Sequence, residues 1–245
     1  MLGKPFINAG NLKQVMNPGD MIDLSEQPIF GYPLTGNQAL LASELVRSEF
    51  IALTGGVAFT LTLPSADAII KSIIGSLNKL SPPDNALYGS LPGQSVQTQW
   101  PANVQPLQPG SSFRRTFRNE NSGITTFAAP ATAGIQTLGT LTVAAALWAE
   151  FLFRVLSSAP SITIPVTTTN TTLTLTNVPA DFIANVTPGM SVYGVGIGAA
   201  AVVTAVNLDT RVITVSVAST ATADNVGVLF TPTVTVQRLR SGTNV

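Results

Sequence analysis

Residues Thr233 to Leu239 alternate, with Val234 and Val236 set against Thr233, Thr235 and Gln237. A period of two marks a half-buried strand. The position of this strand constrains the fold more than its composition does. It follows a run, residues 161 to 232, that already reads as a complete set of strands closed by Phe230. A strand beyond that set is misplaced if two domains merely follow one another. It fits better as the closing partner of Ala149 to Leu156. The order therefore predicts that residues 161–232 are inserted into one hairpin of a first domain, as loop tips tolerate.

The inserted run supports this reading. Ile162, Ile164 and Val166 alternate, and Thr172 to Thr176 follow as a second strand. Pro188-Gly189 makes a turn before Met190-Ser191-Val192. Ala201 to Val206 and Val212 to Val217 flank Asn207-Leu208-Asp209-Thr210, whose residue types suit a hairpin turn. Short strands separated at this spacing by turn signals indicate a small β-sandwich or barrel.

The first domain is written in the same way. Phe59 to Leu63 alternates, and Pro64 ends the strand because it brings no N–H to the ladder. Ser65 is placed to cap a helix, with Ile69, Ile70, Ile73, Ile74 and Leu77 at helical spacing. Leu40 to Val46 suggests one helical turn with Ser43 as its cap, and a strand follows at Glu49 to Leu53. Gly55-Gly56 predicts a hairpin from that strand into Phe59–Leu63. Further strands are expected at Ser112–Arg118, Gly123–Ala128, Gly139–Val143 and Ala149–Leu156. Residues 1–36 have weak periodicity and read as an N-terminal arm, with one short strand at Met21–Leu24. The expected class is all-β: an antiparallel β-sandwich or barrel-like domain with one short helix and an inserted smaller β domain. The expected limits are 1–36 for the arm, 37–160 plus 233–245 for the first domain and 161–232 for the insert.

Residues 80 to 111 interrupt this regularity with six prolines and three glycines and no period. A structureless stretch that long is uncommon unless it has a task or is disordered. Tyr88 and Trp100 lie within it. Aromatics in such a loop serve an interface or pin the loop to its own domain.

Composition removes several chemistries. The chain has no Cys and no His, which excludes disulfides and thiolate metal sites and removes the commonest general base. Twelve basic residues balance twelve acidic ones, so no bulk field draws nucleic acid or an anionic membrane. Only 10% of residues are charged, against about a quarter in ordinary domains. A surface so poor in charge predicts an assembly that covers part of it. Met1 to Ser25 lacks the basic start and long apolar run of a signal peptide. No stretch holds the roughly 18 apolar residues of a membrane span. A soluble protein is expected.

The remaining motifs are weak. Gly194-Val-Gly196-Ile-Gly198 lacks the spacing and following helix of a phosphate cradle, and reads as a bend or bulge. Asn170-Thr171-Thr172 and Asn185-Val186-Thr187 match the glycosylation sequon by composition alone. Asp20 with Asp23, and Glu44 with Glu49, lack the converging polar partners of a glycosidase or calcium site. No cofactor, catalytic or metal-binding residue is expected. Arg114, Arg115 and Arg118 form the only basic cluster. Arg115 shares a strand face with Phe113 and Phe117, and an unpaired buried charge is costly. Either it meets a carboxylate, with Glu150 the nearest in register, or it enters a subunit interface, or that face is half exposed and the side chain reaches water along its own stem.

The order of elements resembles a β-rich virion module of tailed bacteriophages. The resemblance is carried by Ala39-Leu-Leu-Ala-Ser-Glu-Leu-Val46, Thr62-Leu-Pro-Ser-Ala-Asp-Ala-Ile69, Pro109-Gly-Ser-Ser-Phe113 and Phe117-Arg-Asn119. It continues in Gly139-Thr-Leu-Thr-Val143, Glu150-Phe-Leu-Phe-Arg-Val155 and Thr233-Val-Thr-Val236. It covers residues 39–160 and 233–242, and departs at the long loop and at the insert. Pro188-Gly-Met-Ser-Val192 is similar to small modules of phage and bacterial surface proteins. Such virion modules occur in capsid decoration (cement) proteins, head fibres and tail fibres, commonly as homotrimers. The resemblance implies a non-enzymatic homotrimer on the outer capsid surface. Its partners would be the major capsid protein and its own copies, with no nucleic acid and no membrane. Trp100, Tyr88, Arg115 and Glu150 are the expected interface residues. The alternative is a tail-fibre or head-fibre protein whose insert binds a host surface glycan.

Overall fold

The computed structural model describes residues 27–33, 37–80 and 107–243. They fold as an all-β protein with short helices. The chain begins with β1 (Gln27–Pro33) and β2 (Gln38–Ala39), followed by helix α1 (Ala42–Arg47). Strands β3 (Ser48–Thr54) and β4 (Phe59–Thr62) lead into helix α2 (Ala66–Leu80). Then come β5 (Ser112–Asn119), β6 (Thr125–Ala128), β7 (Ile135–Leu138), β8 (Thr142–Val143) and the long β9 (Leu147–Ser157).

The chain winds between two sheets. The first sheet has the order β1-β3-β5-β9-β16-β7, and the second β2-β4-β6-β8. Strand β16 (Thr233–Thr243) is the late strand of the sequence. It pairs antiparallel with β9, from Thr233 opposite Ser157 to Thr243 opposite Leu147. The pairing predicted across the insert is present.

The predicted hairpin at Gly55-Gly56 is not. Strand β3 lies in the first sheet beside β5, and β4 lies in the second beside β6, both pairs parallel. The turn is therefore an arch that carries the chain from one sheet to the other. The turn between β5 and β6 is a second arch stacked on it. Strands β1 and β2 join the same two sheets, again in parallel, as a further rung. Residues 27–33, read from sequence as part of the arm, are thus an edge strand. Met21–Leu24, Tyr88 and Trp100 lie outside the described residues.

Close approach between the arches explains one glycine. A Cβ on Gly123 would stand 2.3 Å from the backbone nitrogen of Ala58 and 2.8 Å from the carbonyl carbon of Val57. The backbone of Phe59 donates to the carbonyl of Ile124 at 3.2 Å, and the Ser122 hydroxyl donates to the carbonyl of Gly56. Buried Asn119 ties the second arch together. Its amide donates to the carbonyls of Gly123 (2.9 Å), Val143 (2.9 Å) and Ala144 (3.2 Å). Its side-chain oxygen accepts the N–H of Asn121 at 3.0 Å.

The two sheets and both helices enclose one apolar core. Inward positions of β5 and β9 supply Phe113, Phe117, Phe151 and Phe153, all fully buried. Phe117 meets Phe127 of the second sheet edge-on at 4.6 Å between centroids, and Phe113 stacks on Phe153 at 4.9 Å. Edge-on and offset pairs of this kind add to the burial of apolar area. Helix α2 contributes Ile69, Ile70 and Ile73, and the Ser65 hydroxyl caps it by accepting the N–H of Ala68 at 3.2 Å. Ser43 does not cap α1. It lies inside the helix, and the Glu44 carboxylate instead accepts the N–H of Leu41 at 3.2 Å.

Residues 161–232 have a separate core around Ile164, Met190, Ile213 and Phe230. Six strands line it: β10 (Ile162–Thr168), β11 (Thr174–Thr176), β12 (Ser191–Tyr193), β13 (Val203–Asn207), β14 (Val212–Val215) and β15 (Ala223–Thr231), with helix α3 (Ala180–Ile183). Their order is β12-β15-β10-β11-β14-β13. The two end strands are joined as well. Val192 donates to the carbonyl of Ala201 (2.9 Å) and Val203 to that of Met190 (2.8 Å). Of the sandwich and barrel open to this sequence, the closed barrel is what forms, and closure leaves no free edge. The hairpin predicted at Asn207–Thr210 is present, and the Asn207 side chain accepts the N–H of Thr210 at 2.9 Å.

Candidate interaction face

Alternation decides which side chains leave the core. On β5, Phe113, Arg115 and Phe117 point inward while Arg114 and Arg118 point out. On β9, Ala149, Phe151, Phe153 and Val155 point inward, so Glu150 and Arg154 lie on the outer face. The Arg115–Glu150 pair, one of the three alternatives for this arginine, is therefore impossible by face, and Arg115 stands in register with Phe151 rather than with Glu150.

Arg115 does not reach water either, being only 4% exposed. Its guanidinium caps a helix end. The last carbonyls of a helix lack intrahelical donors. Arg115 Nε donates to the carbonyl of Leu45 at 2.5 Å, and its terminal nitrogens donate to those of Val46 and Arg114. The cation also lies 4.8 Å from the ring centroid of Phe113. A positive charge at a helix C-terminus is favourable, and here it is held between α1 and the first sheet.

Glu150 is engaged on the opposite side. Arg240 of β16 stands opposite it in register and reaches its carboxylate at 2.5 Å, with Arg114 of β5 at 3.6 Å. Three adjacent strands are thus bridged across their outer face. Arg240 also lies 5.7 Å from the ring of Trp148, and that indole lies over Gly242, where a Cβ would come within 2.9 Å of the ring. A second pair, Arg118 with Glu120 at 3.2 Å, stands at the end of β5. Arg154 makes no ion pair among the described residues.

The outer face of the first sheet therefore carries Arg114, Arg118, Arg154 and Arg240 beside Phe50, Trp148, Leu152 and Leu138. Phe50 is 41% exposed and Leu138 53%. The basic cluster at Arg114 and Arg118 was visible in the sequence. Trp148, Arg154 and Arg240 were not singled out, although the period of two along 147–157 places the first two on this face.

Among the described residues, no group of three or more acidic, His or Cys side chains could hold a metal ion. No described helix is long and apolar enough to cross a membrane. Two clefts are lined by described residues. One, of about 670 Å³, lies where the insert leaves the first unit and is lined by Leu107, Pro109, Leu156, Pro160 and Pro188. The other, of about 220 Å³, is on the barrel and is lined by Pro165, Thr167, Asn177, Asp224 and Asn225. Asn177 and Asn225 both hold left-handed backbone conformations there, at φ 56° and 53°. No family model, curated protein or solved structure matches this chain.

Proposed function

We propose that this chain is a structural virion protein, a homotrimeric decoration (cement) protein that binds the outer face of a phage head and bridges coat subunits. The observation that carries the reading is the outer face of the six-stranded sheet, which the described residues leave open. Exposed Phe50 and Leu138 share it with half-buried Trp148 and four arginines. Aromatic residues and arginine are the types that protein interfaces concentrate. The low total charge fits a surface that neighbours cover. In this reading the two-sheet unit bridges coat subunits and the barrel projects outward. Size-exclusion chromatography with light scattering tests the assembly. About three chains of 25.4 kDa per particle are expected, and a clean monomer at micromolar concentration speaks against the reading.

A fibre protein with a glycan-binding insert is the second reading, favoured by the barrel cleft. Asp224, Asn177 and Asn225 offer the carboxylate and amide groups that sugar hydroxyls pair with. Glycan-array binding that is lost in Asp224→Ala supports this reading, and a blank array removes it.

A further inference from the structure

We infer that the outer face of the first sheet docks an acidic protein surface, through Arg114, Arg118, Arg154 and Arg240 arranged around exposed apolar side chains. The charge of the face carries the inference. The whole chain is neutral, with twelve basic and twelve acidic residues. On the described part of this face, four guanidinium groups meet two carboxylates, Glu150 and Glu120. The excess is held in place rather than scattered. Glu150 is only 7% exposed, clamped between Arg114 and Arg240, and so presents their positive edges rather than its own charge. Arg154 adds a cation that has no carboxylate partner among the described residues.

The chemistry of the occupant follows from the mixture. A guanidinium is a planar fork suited to two-pronged contact with a carboxylate. Nucleic acid would present phosphates at every step, and a track for it needs a long basic groove that follows the backbone. Here the arginines are interrupted by fixed acids and by Phe50, Leu138 and Leu152, a mosaic that fits a folded protein with carboxylates around an apolar centre. That this protein is a coat subunit rests on the reading of the chain as a decoration protein; the charge preference does not.

The test uses the full chain with immobilised poly-L-glutamate as the carboxylate probe and a duplex DNA column as its rival, at about 50 mM salt where screening is weak. The wild type is expected to be retained on poly-glutamate more strongly than on DNA. Arg118→Gln/Arg154→Gln, which spares the Glu150 clamp, should cut that retention severalfold, because each exposed charge contributes modestly. Arg211→Gln on the barrel should leave it unchanged, and all three proteins should share one melting temperature. Absent retention, retention unchanged in the double variant, or stronger retention on DNA would overturn the inference. So would dissociation of the assembly in the double variant, which would make a second copy the occupant. A trimer on the phage head that ignores poly-glutamate refutes the charge preference alone. A retained chain found away from any particle refutes the decoration reading alone.

Discussion

Arg115 Nε donates to the carbonyl oxygen of Leu45 at 2.5 Å, joining the third strand of the first sheet to the end of a helix seventy residues earlier. Both groups are buried. Removing the guanidinium leaves the carbonyls of Leu45 and Val46 without that donor in an apolar setting. Arg115→Met should therefore cost about 2–4 kcal/mol, more than the loss of an exposed arginine, because buried groups left without this partner carry a desolvation penalty. Urea denaturation checks this. A midpoint shift no larger than that of the exposed Arg154→Met would show that the capping contact does not stabilise the fold.

The stacked arches give a paired prediction. A Cβ on Gly123 would overlap the backbone of Val57 and Ala58, which cannot move without separating the rungs. Gly123→Ala should destabilise by about 2 kcal/mol or more, as forced overpacking does. Gly56, in the neighbouring arch, has nothing within 4 Å of its would-be Cβ. Gly56→Ala should stay within about 0.5 kcal/mol of wild type, the range of ordinary surface substitutions. Equal effects of the two changes in thermal unfolding would contradict the arch geometry.

Asn119 offers a third probe. One buried amide serves the carbonyls of Gly123, Val143 and Ala144, which come from the arch and from the strand that closes the second sheet. Asn119→Leu should cost about 2–3 kcal/mol by leaving them without that donor. Asn119→Asp should be worse at neutral pH, since its carboxylate would face the same oxygens. Hydrogen exchange should show the loss first in residues 119–128 and 142–144. Uniform loss across the chain would show that Asn119 is not a local tie.

The junction between the two units is polar. The Thr233 hydroxyl accepts the N–H of Ser191 at 2.6 Å and donates to the Ser191 hydroxyl at 2.8 Å. Tyr193 accepts the N–H of Gly134 at 3.1 Å. Thr233→Val keeps the shape and removes both hydroxyl contacts, leaving a buried N–H without this acceptor. A cost of about 1–3 kcal/mol is expected, with faster proteolysis near residues 157–161 and 231–233. Unchanged proteolysis would place the rigidity of the junction elsewhere.

Strand positions were legible in the sequence because alternation is local. Partners were legible only where the order left one choice, as with Thr233–Leu239 and Ala149–Leu156. Gly55-Gly56 suits a hairpin and an arch equally. The two differ in whether the flanking strands bond to each other or face each other across a core, and that is settled by β5 and β6 more than fifty residues later. The same distance hid the fate of Arg115. Alternation placed it inward, but its acceptors are carbonyls at a helix end, which no local pattern announces. Glu150 was more legible than its expected role allowed. Flanked by Ala149 and Phe151, it had to lie on the outer face, which already excluded Arg115 as its partner.

The proposed function puts the chain on the outside of a phage head, and its position on the particle tests this most directly. Electron microscopy of the particle with gold label against this chain should place the label on the head shell, with density in threefold groups over coat junctions. Label on the tail, or particles without label, would contradict the account.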